Sequence, residues 1–368
     1  MRQHDSHPAG LRRAETWKPE TRPPAGTAYR GLAILALLLA LVVVSLGAYV
    51  RLSDAGLGCP DWPGCYGKLV GVPEQAHEVS HAEASFGKPV EAPKAWKEMI
   101  HRYAAGTLGL CILALAITAW RRRARRRPWL ELALLGVVMG QALLGMLTVT
   151  RLLKPVIVTS HLLGGMTTLA LLALLVLREG RPPRPAVFPA GLKILAVLAT
   201  AAVLGQIALG GWVSSNYAAT ICADFPTCQG SFSPDTDFHH AFTLDRELGS
   251  TASGELLPAA ALTAIHWTHR LFACVVLTLA GLFSLCLLRR DGGRRHGLAL
   301  LTALALQIGL GIANVLLQLP LPLAVAHNTG AALLLCAVLA ATRHVLNGEK
   351  APHRHAMAGF PRRFQAIR

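Results

Sequence analysis

The sequence predicts an all-α integral membrane fold: eight transmembrane helices arranged as two repeat-related four-helix bundles around a pseudo-two-fold axis along the membrane normal. Three observations carry that expectation. First, 53% of the 368 residues are hydrophobic and only 15% are charged, with a mean hydropathy of +0.43. The apolar residues fall in runs of about 20, the length that about 30 Å of hydrocarbon requires. Second, the basic residues sit in short clusters between those runs, such as 121–127 and 289–295, as they do at the cytoplasmic ends of membrane helices. Third, the chain repeats itself. Length alone would suggest two or three soluble domains, and the net charge of +16 would suggest nucleic acid. The clustering of that charge between apolar runs argues against a nucleic-acid partner.

Residues 1–30 are polar, with Pro23, Pro24 and several arginines, and read as a disordered cytoplasmic tail. Asp5, Glu15 and Glu20 argue against a mitochondrial transit peptide, which is poor in acids. The first apolar run, about 31–50, is too long for the core of a signal peptide and no clear cleavage site follows it. It is expected to remain as the first span. Seven more follow at about 99–120, 130–150, 156–178, 191–214, 259–288, 297–318 and 322–344. Backbone groups in lipid must pair internally, so each is a helix. Two connections, 51–98 and 215–258, are long and polar. With the N-terminus inside, the inner segments hold most of the 36 Lys and Arg residues, so both termini are expected in the cytoplasm and both long loops outside.

An offset of 163 residues aligns Leu46-Gly47-Ala48-Tyr49-Val50 with Leu209-Gly210-Gly211-Trp212-Val213, and the loop segment 59–65 with 222–228. Offsets of 168 and 166 align His101-Arg102 with His269-Arg270, and Gln141, Gly145 and His161 with Gln307, Gly311 and His327. Each copy has four spans and starts inside, so the copies are parallel. The expected organisation is a tail over 1–30, an N-terminal bundle over 31–178, a cytoplasmic linker over 179–190, a C-terminal bundle over 191–345 and a tail over 346–368.

His101, His161, His269 and His327 open the second and fourth spans of the two halves. A histidine in a bilayer costs free energy unless it has a partner. Facing imidazoles in a four-helix bundle suit bis-histidine ligation of a haem iron. Four interfacial histidines with ordinary hydrogen bonds are the plainer explanation of each one singly. His77, His81, His239 and His240 in the outer loops do not match a familiar zinc arrangement.

Glu98 precedes His101 by three residues and shares its helical face. His266 holds the corresponding place before His269. A carboxylate beside one site only can act as acid, base or water-positioning group, although a helix N-terminus also favours Glu. His266 competes with His269 as a ligand, and the match of His269 to His101 favours His269. Arg102 and Arg270 either pair with haem propionates or snorkel to the interface. Cys59 with Cys65 and Cys222 with Cys228 lie in an oxidising compartment and are expected to form one disulfide per loop. Cys111, Cys274, Cys286 and Cys336 read as ordinary small apolar residues. Gly136, Gly140 and Gly145 should allow close helix approach, and Gln141 and Gln307 should hydrogen-bond across helices.

Glu98-Met99-Ile100-His101-Arg102, the loop cysteines, His161, His269-Arg270 and Ala326-His327-Asn328-Thr329-Gly330-Ala331 together resemble the haem A synthase family, over about residues 31–345. The motifs are specific in combination, though each is weak alone. The resemblance implies an eight-helix membrane enzyme of two-fold repeat. It would oxidise a ring methyl of haem O to a formyl by successive hydroxylations, for cytochrome c oxidase assembly. It also implies that His101 and His161, with Glu98 as catalytic group, hold the substrate haem iron, while His269 and His327 hold a resident haem b that passes electrons. The implied partners are haem O from a haem O synthase, an electron donor, the lipid bilayer and, as an option, a second copy of the chain. The implied location is the bacterial inner (plasma) membrane. Some family members keep only one cysteine pair or none. The rival from another class is a di-haem cytochrome b, an electron carrier without substrate chemistry. A parallel-repeat transporter would show paired Gly/Pro interruptions near the midplane, which the sequence lacks.

Overall fold

The computed structural model describes residues 26–124, 127–180 and 186–348. Eight long helices carry the apolar runs: α1 (Thr27–Leu52), α3 (Ala92–Arg121), α4 (Trp129–Thr150), α5 (Pro155–Glu179), α6 (Ala190–Ser215), α8 (Ala259–Leu288), α9 (Arg294–Leu316) and α10 (Leu321–Leu346). Two shorter ones, α2 (Ala76–Phe86) and α7 (Phe238–Ala241), lie in the long connections. All eight long helices are long and apolar enough to cross a membrane. The expected tails, 1–30 and 346–368, lie outside the described residues except at their edges, where α1 begins at Thr27 and α10 ends at Leu346.

Small residues set how the helices meet. On α1, Ala33, Ala36, Ala40 and Val44 are buried at helical spacing, and on α6 Leu192, Ala196, Ala199 and Val203 do the same. Lipid tails are as apolar as leucine, so close van der Waals packing, rather than exclusion of water, favours such contacts. In the first half α1 packs on α3 and α5, and α4 on α3 and α5. In the second, α6 packs on α8 and α10, and α9 on α8 and α10. The halves join where α1 meets α10 and α5 meets α6 and α10, and one apolar core runs through both.

Three features depart from the sequence expectation. Helix α3 starts at Ala92 rather than near 99, with Pro93 in its first turn, where proline's fixed φ suits a helix start. Its extra turns are half polar, so hydropathy does not mark them. Ala95 of those turns, with Met99 just after them, instead packs under the first loop with Cys59, Cys65, Tyr66, Val72 and Ala82. Secondly, Gly136 and Gly140 are not at a helix interface: a Cβ at either would meet nothing within 4 Å. The buried residues of α4 are Glu131, Leu134 and Val149, so the helix is rotated away from the glycine stripe. Thirdly, the long connections are folded caps. Trp212, Ala218, Ala241, Leu257 and Ile265 form a second small core under the other loop, and Trp212 Nε1 donates to the Ala241 carbonyl at 2.9 Å.

The two loops share a local design. Disulfides link Cys59 to Cys65 and Cys222 to Cys228. Within the first, the Asp61 carboxylate accepts the Tyr66 and Gly67 N–H groups at 2.6 and 2.8 Å. Within the second, Asp224 accepts the Gln229 and Gly230 N–H groups at 2.7 and 2.9 Å. Gly64 is required by close approach, since a Cβ there would lie 2.4 Å from the Lys68 carbonyl oxygen.

Candidate functional site

His101 lies on α3, His161 on α5, His269 on α8 and His327 on α10. They fall in two pairs: α3 and α5 both pack on α1 and α4, so His101 and His161 belong to one four-helix unit, and α8 and α10 both pack on α6 and α9, so His269 and His327 belong to the other. Because α3 starts early, His101 sits nearly three turns into its helix, within one residue of the depth of His269 in α8.

Each imidazole faces a glycine on another helix. A Cβ added at Gly47, Gly145, Gly210 or Gly311 would lie 3.0, 3.5, 3.1 or 3.0 Å from the Cε1 atom of His101, His161, His269 or His327 respectively. At three of these places even alanine would force a shift. The Nδ1 atoms of His101, His161 and His269 are buried with no hydrogen-bond partner. Buried polar atoms are rarely left so. Histidines seated this closely against glycine backbone, three of them with an unpartnered buried ring nitrogen, fit ligation of a metal-centred group such as haem, for which imidazole nitrogen is a standard axial ligand.

Glu98 is 5% exposed. One of its oxygens accepts the Cys59 N–H at 2.9 Å and the other accepts Arg102 Nη2 at 2.6 Å. It shares a helix face with His101, as the spacing predicts, but its hydrogen bonds run to the disulfide loop and to Arg102. Arg102 also donates to the carbonyls of Asp61 at 3.0 Å and Pro63 at 3.3 Å, and to that of Gly64. Arg270 donates to Asp224 and Thr227 at 2.8 Å and to Cys222 at 2.7 Å. Both arginines thus hold the long loops down on the helices that carry the ligand candidates, in place of reaching along the helix to the interface. In the second half, His266 is buried beside Arg270, whose Nε donates to His266 Nε2 at 3.2 Å. So the position occupied by a carboxylate in one half holds a neutral acceptor in the other.

Outside the spans, hydrogen bonds from the Thr227 hydroxyl and the Gly230 and Gln229 amides lower the Asp224 carboxyl to about 2. Glu78 is lowered to about 2 by Lys68, helped by the Glu74 and Gln75 amides. Of the other loop histidines, His240 pairs with Asp237 at 2.5 Å and packs edge-on to His239.

Four glycines, Gly47, Gly145, Gly210 and Gly311, and Gln206 stand beside the histidines without being marked by any single motif. The repeat already aligns Gly47 with Gly210 and Gly145 with Gly311, which was the available signal. Gln206 has no counterpart amide in the first half, and only the helix packing puts it beside His269. Gln141 and Gln307 do reach across helices: each lies against a glycine of the next helix, Gly164 and Gly330, and Gln307 Nε2 is 3.3 Å from His327 Nδ1.

The model of the COX15-CtaA family, described as cytochrome oxidase assembly protein, matches residues 30–339. A protein of Shewanella oneidensis named "Heme A synthase" is 43% identical over 305 residues, covering 82% of this chain and 92% of its own length. A "Heme A synthase" of a Methylobacterium species is 32% identical, covering 84% of this chain and 90% of its own. Another, of Halalkalibacterium halodurans, is 28% identical over 68% of this chain and 84% of its own length.

Proposed function

Since the chain belongs to the COX15-CtaA family, that of the haem A synthases, we propose that it is a membrane oxidoreductase that oxidises a ring methyl of haem O to the formyl of haem A. In this reading His101 and His161 hold the iron of the substrate haem O, and Glu98 serves the chemistry. His269 and His327 hold a resident haem b, which supplies one-electron transfer when bound. The product serves cytochrome c oxidase assembly, and haem O arrives from a haem O synthase. Both termini face the cytoplasm of a bacterium whose inner membrane the eight helices cross, a placement supported by the clustered inner basic residues.

The observation that carries the division of labour is the exchange of Glu98 for His266. Among the described residues, only the first half offers a buried carboxylate one turn from a ligand candidate. Glu98 is anchored from two sides, by Cys59 N–H and by Arg102. It is therefore fixed relative to His101 and can take up, give back or orient a proton at its oxygens without searching for a position. Arg102 and Arg270 tie each loop to its ligand-bearing helix, which keeps bulk water off the outer end of each site. An arginine so placed is also within the zone where haem propionates would be met at the membrane boundary.

We also infer that a pseudo-two-fold axis along the membrane normal relates the halves. Three contacts support it. Arg51 donates to the Ser214 carbonyl at 2.6 Å and the Tyr217 hydroxyl to Asp54 at 3.0 Å, each 163 residues apart. Arg343 donates to the Leu177 carbonyl at 3.4 Å, 166 residues apart. These separations equal the repeat offsets, and a residue meets its own repeat counterpart only close to the axis that relates the copies.

The likeness of the ligand cradles in the two halves is the one observation that favours the rival, a di-haem cytochrome b. Expression with a source of haem O, followed by extraction and chromatography of the haems, separates the two. Haem A in the extract supports the synthase; unmodified haem alone, with electron supply intact, supports the carrier.

A further inference from the structure

The outward face of α9 carries a feature that the histidine sites do not use. Arg295, Leu298, Thr302 and Leu306 of α9 line one side of an open apolar groove, and Gly330 and Leu333 of α10 line the other. Leu298, Leu306 and Leu333 are all exposed. The groove therefore faces away from the core and, on helices long and apolar enough to cross a membrane, towards lipid. Arg295 is the only charged residue of the lining, and it stands in the first turn of α9.

Length and charge identify what fits. From Arg295 to Leu306 the helix rises about 16 Å at 1.5 Å per residue. That is half of a hydrocarbon core of about 30 Å, the depth of one leaflet. An acyl chain laid along the groove thus brings the headgroup of the same lipid to Arg295. Arg289, Arg290 and Arg294 stand in the same stretch against one acid, Asp291. Among the described residues, no ion pair involves any of these four arginines. Basic side chains at the end of a membrane span attract anionic headgroups, and the planar guanidinium fork matches the oxygens of a phosphate.

The repeat does not reproduce these parts. At the 166-residue offset the counterparts of Arg295, Thr302 and Leu306 are Trp129, Gly136 and Gly140. Neither the arginine nor the apolar wall recurs, and both glycines have open space where a Cβ would stand.

We propose that this groove binds one anionic phospholipid, with an acyl chain between α9 and α10 and the phosphate on Arg295. The inference depends on the membrane-spanning helices and not on which histidines hold which haem.

The test uses the full chain purified in detergent and stripped of lipid. It is titrated with phosphatidylglycerol or phosphatidylcholine of identical acyl chains, and binding is read by native mass spectrometry. Wild type is compared with Arg295→Gln, which removes the charge, with Ala299→Trp, which fills the groove, and with Arg123→Gln in the other half as a control. Size-exclusion elution checks the folding of each. The expected result is one phosphatidylglycerol held in preference to phosphatidylcholine by wild type and Arg123→Gln. Arg295→Gln should weaken it about fivefold, the usual effect of one arginine at a membrane surface, and Ala299→Trp should weaken both lipids. Equal binding of the two lipids by wild type, or phosphatidylglycerol binding unchanged in Arg295→Gln, overturns the proposal. A wild-type dimer that Ala299→Trp disrupts would make the groove a contact between copies of the chain and overturn it as well.

Discussion

At the scale of single residues, the site rests on what stands beside each histidine. A methyl group at position 47, 210 or 311 would come within 3.0–3.1 Å of an imidazole carbon, whereas at 145 it would be in ordinary contact at 3.5 Å. Gly210→Ala and Gly311→Ala are therefore expected to lower haem content in the purified protein. Gly145→Ala should do so less, and Gly136→Ala, which meets open space, should not change it. Haem-to-protein ratios across the four variants check the order. Glu98→Gln keeps the size of a side chain that accepts from Cys59 and Arg102, so haem binding should persist while haem A yield falls by about 10²–10⁴-fold, the usual worth of a general acid or base. Undiminished haem A from that variant would remove Glu98 from the chemistry. The histidines, Glu98 and its replacement by His266 were all legible in the sequence, because the repeat sets them side by side. The glycine cradles and Gln206 were not. Whether a side chain on one helix meets one on another depends on how each helix is rotated, and α4 shows the point, since its glycine stripe faces away from its neighbours.

At the scale of elements, the two long loops behave as small folded caps bolted to α3 and α8. Hydropathy reads them only as polar connections, because their stability comes from disulfides, Asp-centred turns and arginine contacts rather than from an apolar run. The closing of the 59–65 loop is worth about 2 kcal/mol on loop-entropy grounds. Cys59→Ser with Cys65→Ser should therefore loosen the first cap and, through the Cys59 N–H bond to Glu98, reduce haem A yield more than the corresponding change in the second loop. Protease cleavage within 59–71 would report the loosening. Asp224 gives the second cap a defined pH response. Its carboxyl lies at about 2 in the folded loop against about 3.9 for a free aspartate. A carboxyl lowered on folding stabilises the loop above the free value, and that contribution is lost as pH falls through about 2. Protection of the Gln229 and Gly230 amides from hydrogen exchange, relative to intrinsic rates, should be full above about pH 4 and fall progressively between about pH 4 and pH 2. Asp224→Asn should show weaker protection throughout and no such step.

At the scale of the whole molecule, eight spans and their order were legible in the sequence, since length and apolarity are properties of the chain alone. The early start of α3 was not, because amphipathic turns at the membrane surface carry no hydropathy signal. The orientation makes a separate claim. A cysteine at Leu69, which is 73% exposed on the first outer loop, should react with a membrane-impermeant maleimide on intact spheroplasts. One at Asp291, in the turn between α8 and α9, should react only after lysis, and the opposite pattern would invert the topology. The most direct test of the division into a reacting half and a relaying half is the haem composition of wild type, His101→Ala and His269→Ala, each purified from cells that make haem O. The expected result is that His101→Ala keeps the low-spin resident haem but yields no haem A, while His269→Ala loses that resident haem. Retention of the resident haem by His269→Ala together with its loss from His101→Ala would contradict the division and exchange the roles of the two halves.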